Sequence, residues 1–170
     1  MSQPQQNIIL IGMMGTGKST VGKWLAQHLE YNLVDLDTAV EAHEGCSIAS
    51  IFTNQGEAYF RKAETAMLER VLSDRCQVIA TGGGAVLNPK NCELMKEGGW
   101  VVALTAEAED IASRVQGDGL RPLLAGNTEE RIRTILEERK NAYLFADYTV
   151  NTSLYSVEQV SEMILTHYRV

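Results

Sequence analysis

The sequence predicts an α/β fold, in which a central parallel sheet of five strands is covered by helices on both faces to make three layers. Three observations carry that expectation. Short apolar runs alternate along the chain with longer segments whose apolar residues recur every three or four positions. Glycines punctuate the apolar runs: Gly12 after the first, Gly82-Gly83-Gly84 after the third, Gly98-Gly99 before the fourth. The length of 170 residues suits one such domain and is enough to bury a core. Strands that alternate with helices pair in parallel, because each crossover helix returns the chain across a sheet face.

Taken in order, the run 7–11 reads as a buried strand. Over 18–29, Val21, Leu25 and Leu29 recur four apart with Trp24 beside them, which is helical spacing. A second strand is expected over 33–36. Ser47 reads as the N-cap of a helix carrying Ile48, Ile51 and Phe52. A long amphipathic helix follows over 57–72, with Phe60, Met67, Leu68, Val71 and Leu72. Strands are expected at 76–81 and 100–104, with a weaker fifth at 148–150. The remaining helices fall at 107–115, 129–143 and 157–168. The stretch 116–127 breaks the pattern with three glycines, one proline and weak periodicity, and reads as a mobile, functional lid. With no internal repeat, low-complexity tract or long linker, residues 1–170 read as a single domain.

Composition excludes several classes. Hydrophobic residues at 45% and charged residues at 22% are an ordinary globular balance. Fifteen Lys and Arg against 22 Asp and Glu leave a net charge of -7, which repels a nucleic-acid backbone, so any anionic ligand must be met by locally placed arginines. Cys46, Cys76 and Cys92 are odd in number and lack CxxC spacing, which argues against a disulfide framework or a zinc site and for a reduced, cytoplasmic compartment. The apolar run 8–11 is too short for a signal peptide or a membrane span, so no membrane partner is expected. His28, His43 and His167 show no metal-ligand spacing.

The strongest local signal is Gly12-Met13-Met14-Gly15-Thr16-Gly17-Lys18-Ser19, a GxxxxGKS match placed between an expected strand and an expected helix. Such a loop turns several backbone N–H groups onto one anion, and the helix N-terminus adds partial positive charge. Lys18 then reaches the β- and γ-phosphates, and the Ser19 hydroxyl is a magnesium ligand. The guanine signature NKxD and the switch motif DxxG of GTPases are both absent from the sequence. A nucleotide-dependent small-molecule kinase is the leading class.

Asp35 and Asp37 sit at the end of the second expected strand, where alternation would put both carboxylates on one side. Ligands of open parallel sheets gather outside the carboxyl ends of the strands. Two carboxylates there suit a metal shell and a hydroxyl whose proton must be accepted; the alternative for Asp37 is a plain helix N-cap. Gly82, Gly83 and Gly84 close the third strand and permit close approach of a ligand. By spacing alone, Arg61 reads as a helix-surface residue paired with Glu57 or Glu64, and Arg139 as an i,i+4 partner on a late helix. Arg121, within 116–127, is either a solvated loop residue or an arginine that closes over the transferring phosphoryl group.

Taken together, the ordered set GMMGTGKST, VDLD, GEAYFRKAE, ATGGGAV, LRPLL and EERKNAY resembles the shikimate kinase family from Gly12 to about Val150. The resemblance implies a P-loop NTPase fold like that of the nucleoside-monophosphate kinases. It implies ATP-dependent phosphorylation of the 3-hydroxyl of shikimate in the route to chorismate and the aromatic amino acids. Carried over by motif, Gly15, Thr16, Gly17, Lys18, Ser19 and Thr20 would hold ATP, with Ser19 and Asp35 serving Mg2+. Asp37 would bind substrate hydroxyls and receive the proton; Arg61 and Arg139 would bind the carboxylate, with a backbone contact from Gly83 between Gly82 and Gly84. Arg121 would act from the lid on the phosphates, and Arg114 would lie against adenine. Some members carry a further arginine after the last strand, where Asn151-Thr152-Ser153-Leu154-Tyr155 has none. A monomer is expected. The rival readings are a small kinase for gluconate or a nucleoside monophosphate, and an ATP-sensing module without catalysis.

Overall fold

The computed structural model describes residues 6–115 and 128–168. The expected lid, 116–127, and Arg121 with it, lie outside the described residues. Five strands, β1 (Asn7–Ile11), β2 (Asn32–Asp35), β3 (Gln77–Ala80), β4 (Gly99–Thr105) and β5 (Tyr148–Asn151), form one sheet in the order β2-β3-β1-β4-β5. Every pairing in it is parallel. β1 occupies the centre, with Ile9 opposite Ile79 of β3 and Val101 of β4. The connection from β1 runs to β2 on one side, and that from β3 crosses to β4 on the other side of β1, so the turn after β1 opens at the point where strand order reverses. That is where open α/β sheets bind ligands.

The alternation of β1 sorts the core into two halves. Ile8 and Leu10 face α1 (Lys18–Leu29) and α8 (Val157–Tyr168), meeting Val21, Leu25, Val160 and Ile164. Ile9 and Ile11 face the other way, onto Leu68 of α4 (Glu57–Val71) and Met95 of α5 (Pro89–Gly98). All four β1 isoleucine and leucine side chains have no solvent exposure. The expectation of a parallel sheet covered on both faces is met. Two smaller clusters lie beyond these halves. Val40 of α2 (Leu36–Glu44), Ile51 of α3 (Ile48–Gln55) and Phe60 of α4 form one. Met13 with Ile111 of α6 (Ala108–Val115) and Ile132 and Ile135 of α7 (Thr128–Arg139) form the other.

Three local outcomes differ from the sequence reading. α2 is expected only in the alternative that makes Asp37 an N-cap, because it buries only Leu36 and Val40, a single four-residue repeat that gives no sustained period. α5 was not expected, although its signal is present: the Asn88 side chain accepts from the Lys90 N–H at 3.0 Å and Pro89 occupies the first turn. α7 ends at Arg139, four residues short of the expectation over 129–143. Its apolar face belongs to the Met13 cluster, whereas Ala142, Tyr143, Phe145 and Ala146 belong to the sheet core. A continuous helix could not serve both, and the chain instead turns through bonds such as Ala142 N–H to Arg139 O at 2.8 Å.

Leu10 is fully buried between α1 and the sheet. Leu10→Ala is expected to cost about 2–5 kcal/mol of stability. Urea unfolding should show a lower midpoint with an unchanged slope.

Candidate active site

The turn from β1 into α1 is built as a cradle. Gly17 takes φ 98 at the N-cap of α1 and supplies no side-chain cap, so the first N–H groups of the helix are left for a ligand. Gly12 is required for a different reason: a Cβ there would run into the Leu104 carbonyl of β4. The Thr16 hydroxyl donates to the Met13 carbonyl at 2.7 Å and closes the loop on itself. The Lys18 ammonium donates to the carbonyls of Gly12 at 2.6 Å and Met13 at 2.9 Å, which hold it over the loop with only 8% exposure. Ser19 and Thr20 stand at the exposed mouth. Gly15, Lys18, Ser19, Asp35, Asp37 and Gly83 are among the residues lining one cavity of about 350 Å³.

Asp35 and Asp37 do not share a strand face. β2 ends at Asp35, whose carboxylate accepts from the Thr38 N–H at 3.0 Å and caps α2. Asp37 therefore lies in the first turn of that helix. The capping role weighed for Asp37 belongs to Asp35, because the helix starts two residues earlier than strand alternation implied. Both carboxylates still reach the same cavity. Their oxygens and the Ser19 hydroxyl are hard donors of the kind Mg2+ prefers. Among the described residues there is no cluster of three His, Cys, Asp or Glu side chains that could hold a metal unaided.

The triple glycine brings the other site residues together. None of Gly82, Gly83 and Gly84 has a positive φ, so backbone torsion does not require glycine here. Space does at Gly82 and Gly84. A Cβ on Gly82 would lie 2.8 Å from Asp37 Oδ1, whereas one on Gly83 would only touch Arg139 Nη1, at 3.5 Å. On Gly84 it would overlap the Arg61 guanidinium, 2.7 Å from Nη1. Side chains from α2, α7 and α4 thus converge on three consecutive backbone units. The Tyr143 hydroxyl donates to the Gly83 carbonyl at 3.0 Å and holds the turn from behind.

The two arginines differ in their partners. Arg61 pairs with Glu57 at 3.3 Å and Glu64 at 3.1 Å, so the surface-pair reading was right as geometry and incomplete as an account of the residue. Arg139 is buried, and its Nη1 finds no acceptor among the described residues. A buried guanidinium nitrogen left in that state favours an anionic ligand. Glu64 is the residue that sequence reasoning undervalued. It is 1% exposed, and Oε2 finds no donor among the described residues. Burial pushes its carboxyl above the ordinary value of 4.5, against the pull of the Arg61 charge and hydrogen bond and with a smaller push from Asp37. Its i,i+3 spacing from Arg61 was the available signal.

On the nucleotide side, Arg114 donates to the Gly15 carbonyl at 2.9 Å and to Thr152 Oγ1 at 3.2 Å. It thereby ties the loop after β1 to the segment after β5. Thr152 had no sequence signal.

Fold and phosphate loop together define a small P-loop kinase. The sequence model of the shikimate kinase family matches residues 14–169. A shikimate kinase of Caldanaerobacter subterraneus subsp. tengcongensis is 45% identical over 164 residues, covering 96% of each chain. One from Geobacter sulfurreducens is 46% identical over 165 residues, covering 96% of this chain and 91% of its own. Among solved structures, the shikimate kinase of Acinetobacter baumannii in complex with shikimate superposes with a TM-score of 0.92 at 37% identity, over 97% of this chain and 93% of that one. The chain belongs to the shikimate kinase family.

Because the Glu64 carboxyl titrates higher in the folded chain than its ordinary 4.5, its contribution to stability is full below that value and is lost as pH rises through the raised one. Glu64→Gln lacks this loss. Unfolding free energies of the two proteins, measured in urea from about pH 4 to pH 7, should move apart in favour of the variant as pH rises. A pH-independent difference would mean that the carboxyl is not raised.

Proposed function

We propose that this protein transfers the γ-phosphoryl group of ATP to the 3-hydroxyl of shikimate, giving shikimate 3-phosphate and ADP, in the route to chorismate and the aromatic amino acids. One observation carries the choice of acceptor: the buried Arg139 guanidinium, with Nη1 lacking an acceptor among the described residues, beside Gly83 and next to Arg61 on Gly84. Two guanidinium groups match a carboxylate, and shikimate is a carboxylated polyol. Family membership and the shikimate bound by the Acinetobacter baumannii relative support the same acceptor.

In this reading Arg61 and Arg139 hold the substrate carboxylate, with a backbone contact at Gly83, and Asp37 holds the ring hydroxyls. The 3-hydroxyl oxygen bonds to the γ-phosphorus as the bond to the β,γ-bridging oxygen breaks. The electron pair leaves with ADP, and the hydroxyl proton passes to Asp37. Gly15, Gly17 and the first turn of α1 bind the phosphates through N–H groups, with Thr16 and Thr20 beside them. Lys18 turns from the Gly12 and Met13 carbonyls to the β- and γ-phosphates. Ser19 and, through water, Asp35 would hold Mg2+, which neutralises charge on the phosphate oxygens when bound. Arg114 lies against adenine, and Arg121 acts on the phosphates from a lid at 116–127. The chain works as a single-domain monomer in the cytoplasm; no described helix is long and apolar enough to cross a membrane.

The deciding experiment is ADP release with ATP and Mg2+ in the presence of shikimate, quinate or gluconate. Turnover should rise with shikimate alone. A rise with gluconate instead would overturn the acceptor, and ATP binding without any acceptor-dependent turnover would overturn the kinase reading.

Asp37→Asn should lower kcat by about 10²-fold or more while ATP affinity stays within about 2-fold. An unchanged kcat would remove Asp37 from the proton's path.

A further inference from the structure

We infer that Asn91 is a positioning residue for acceptor binding, acting through Thr65 and the Ala85 carbonyl to set the distance between Arg61 and Gly84. This rests on the reading that Arg61 and the triple glycine hold the acceptor. Asn91 lies on α5, seven residues beyond Gly84, and has no solvent exposure. Its amide is satisfied at both ends. Oδ1 accepts from the Thr65 hydroxyl at 2.8 Å, and Nδ2 donates to the Ala85 carbonyl at 2.9 Å. Asn88 adds a bond from Nδ2 to Thr65 Oγ1 at 3.3 Å.

Each end of this strut meets an element that carries part of the acceptor site. Thr65 stands one turn beyond Arg61 on the same face of α4. Ala85 directly follows Gly84, the unit against which the Arg61 guanidinium lies. The position of the guanidinium relative to the turn is therefore shared between α4 and the segment after β3, two elements that the amide joins. An apolar side chain would fill the same buried space. What it would lack is direction, since a hydrogen-bonded amide with both ends satisfied holds its partners at defined distances and angles. Binding groups tolerate little misplacement, and a shift of about 1 Å can cost about 10²-fold.

The test separates position from stability. Thr65→Val keeps the side-chain volume and removes the hydroxyl from the strut. It should raise the KM for shikimate about 5–10-fold, with kcat and the KM for ATP within about 2-fold of wild type. Thr65→Ser restores the hydroxyl and should return the shikimate KM to near wild type. Asn91→Ala should shift the shikimate KM in the same direction, and if it does not fold, the Thr65 pair decides alone. A Thr65→Val protein that melts earlier but keeps the wild-type shikimate KM would overturn the inference, as would an equal rise in both KM values. Wild-type protein without shikimate-dependent turnover in the same assay would instead overturn the acceptor reading on which the inference stands.

Discussion

Two glycines at the turn after β3 let charged side chains from two helices close on one stretch of backbone. Asp37 and Arg61 take the volume that Cβ atoms on Gly82 and Gly84 would need, while a Cβ on Gly83 would meet Arg139 at ordinary contact distance, 3.5 Å. The constraint is steric, since the backbone angles there are open to any residue. One methyl group on Gly82 or Gly84 would displace a charged group, Asp37 of α2 or Arg61 of α4. The turn is itself held on two sides, by Tyr143 at the Gly83 carbonyl and Asn91 at the Ala85 carbonyl.

Charge is handled locally against an unfavourable global sign. A chain of net charge -7 repels anions at a distance, and the turn after β3 counters this locally with a buried arginine and a half-buried one. Glu64 sits beneath Arg61 with one oxygen bonded and the other unsatisfied among the described residues. A buried ion pair of this kind is poor evidence for stability, because desolvation offsets most of the attraction. Its physical role is to point a guanidinium that would otherwise sample many rotamers.

The phosphate loop and the turn after β3 share a mechanical element. Met13, in the phosphate loop, packs with Ile111, Ile132 and Ile135, and a Cβ on Gly15 would lie 3.1 Å from Val115. Arg114 on α6 bonds the Gly15 carbonyl, and α7 ends at Arg139. The α6–α7 pair thus touches the phosphate loop at one end and, through Arg139, the turn after β3 at the other. Its exposed Arg133 bridge to Glu109 and Glu129 adds little to this; the apolar packing carries it.

Much of the molecule was legible in the chain. GxxxxGKS between an apolar run and a helical period placed the phosphate loop, and alternation of short apolar runs with helices placed the parallel sheet, because both signals are local. The ordered motifs also named Asp37, Arg61, the triple glycine and Arg139. What the chain alone left open was how these residues meet. By spacing alone Arg61 was a surface pair and Arg139 a helix-face cation; only the packing of α4 and α7 against the turn after β3 made them neighbours. Asp35 rather than Asp37 caps α2, because the start of that helix is set by a cap and two buried side chains, too weak a period to read. Glu64, Tyr143, Thr152 and Asn91 gained meaning from partners 3 to 60 residues away. Local sequence determines which elements form and which loop can cradle phosphate, since period and backbone freedom act over a few residues. The convergence of Asp37, Arg61 and Arg139 depends on side chains from separate helices arriving at one turn, and that is decided only when the sheet brings those helices together.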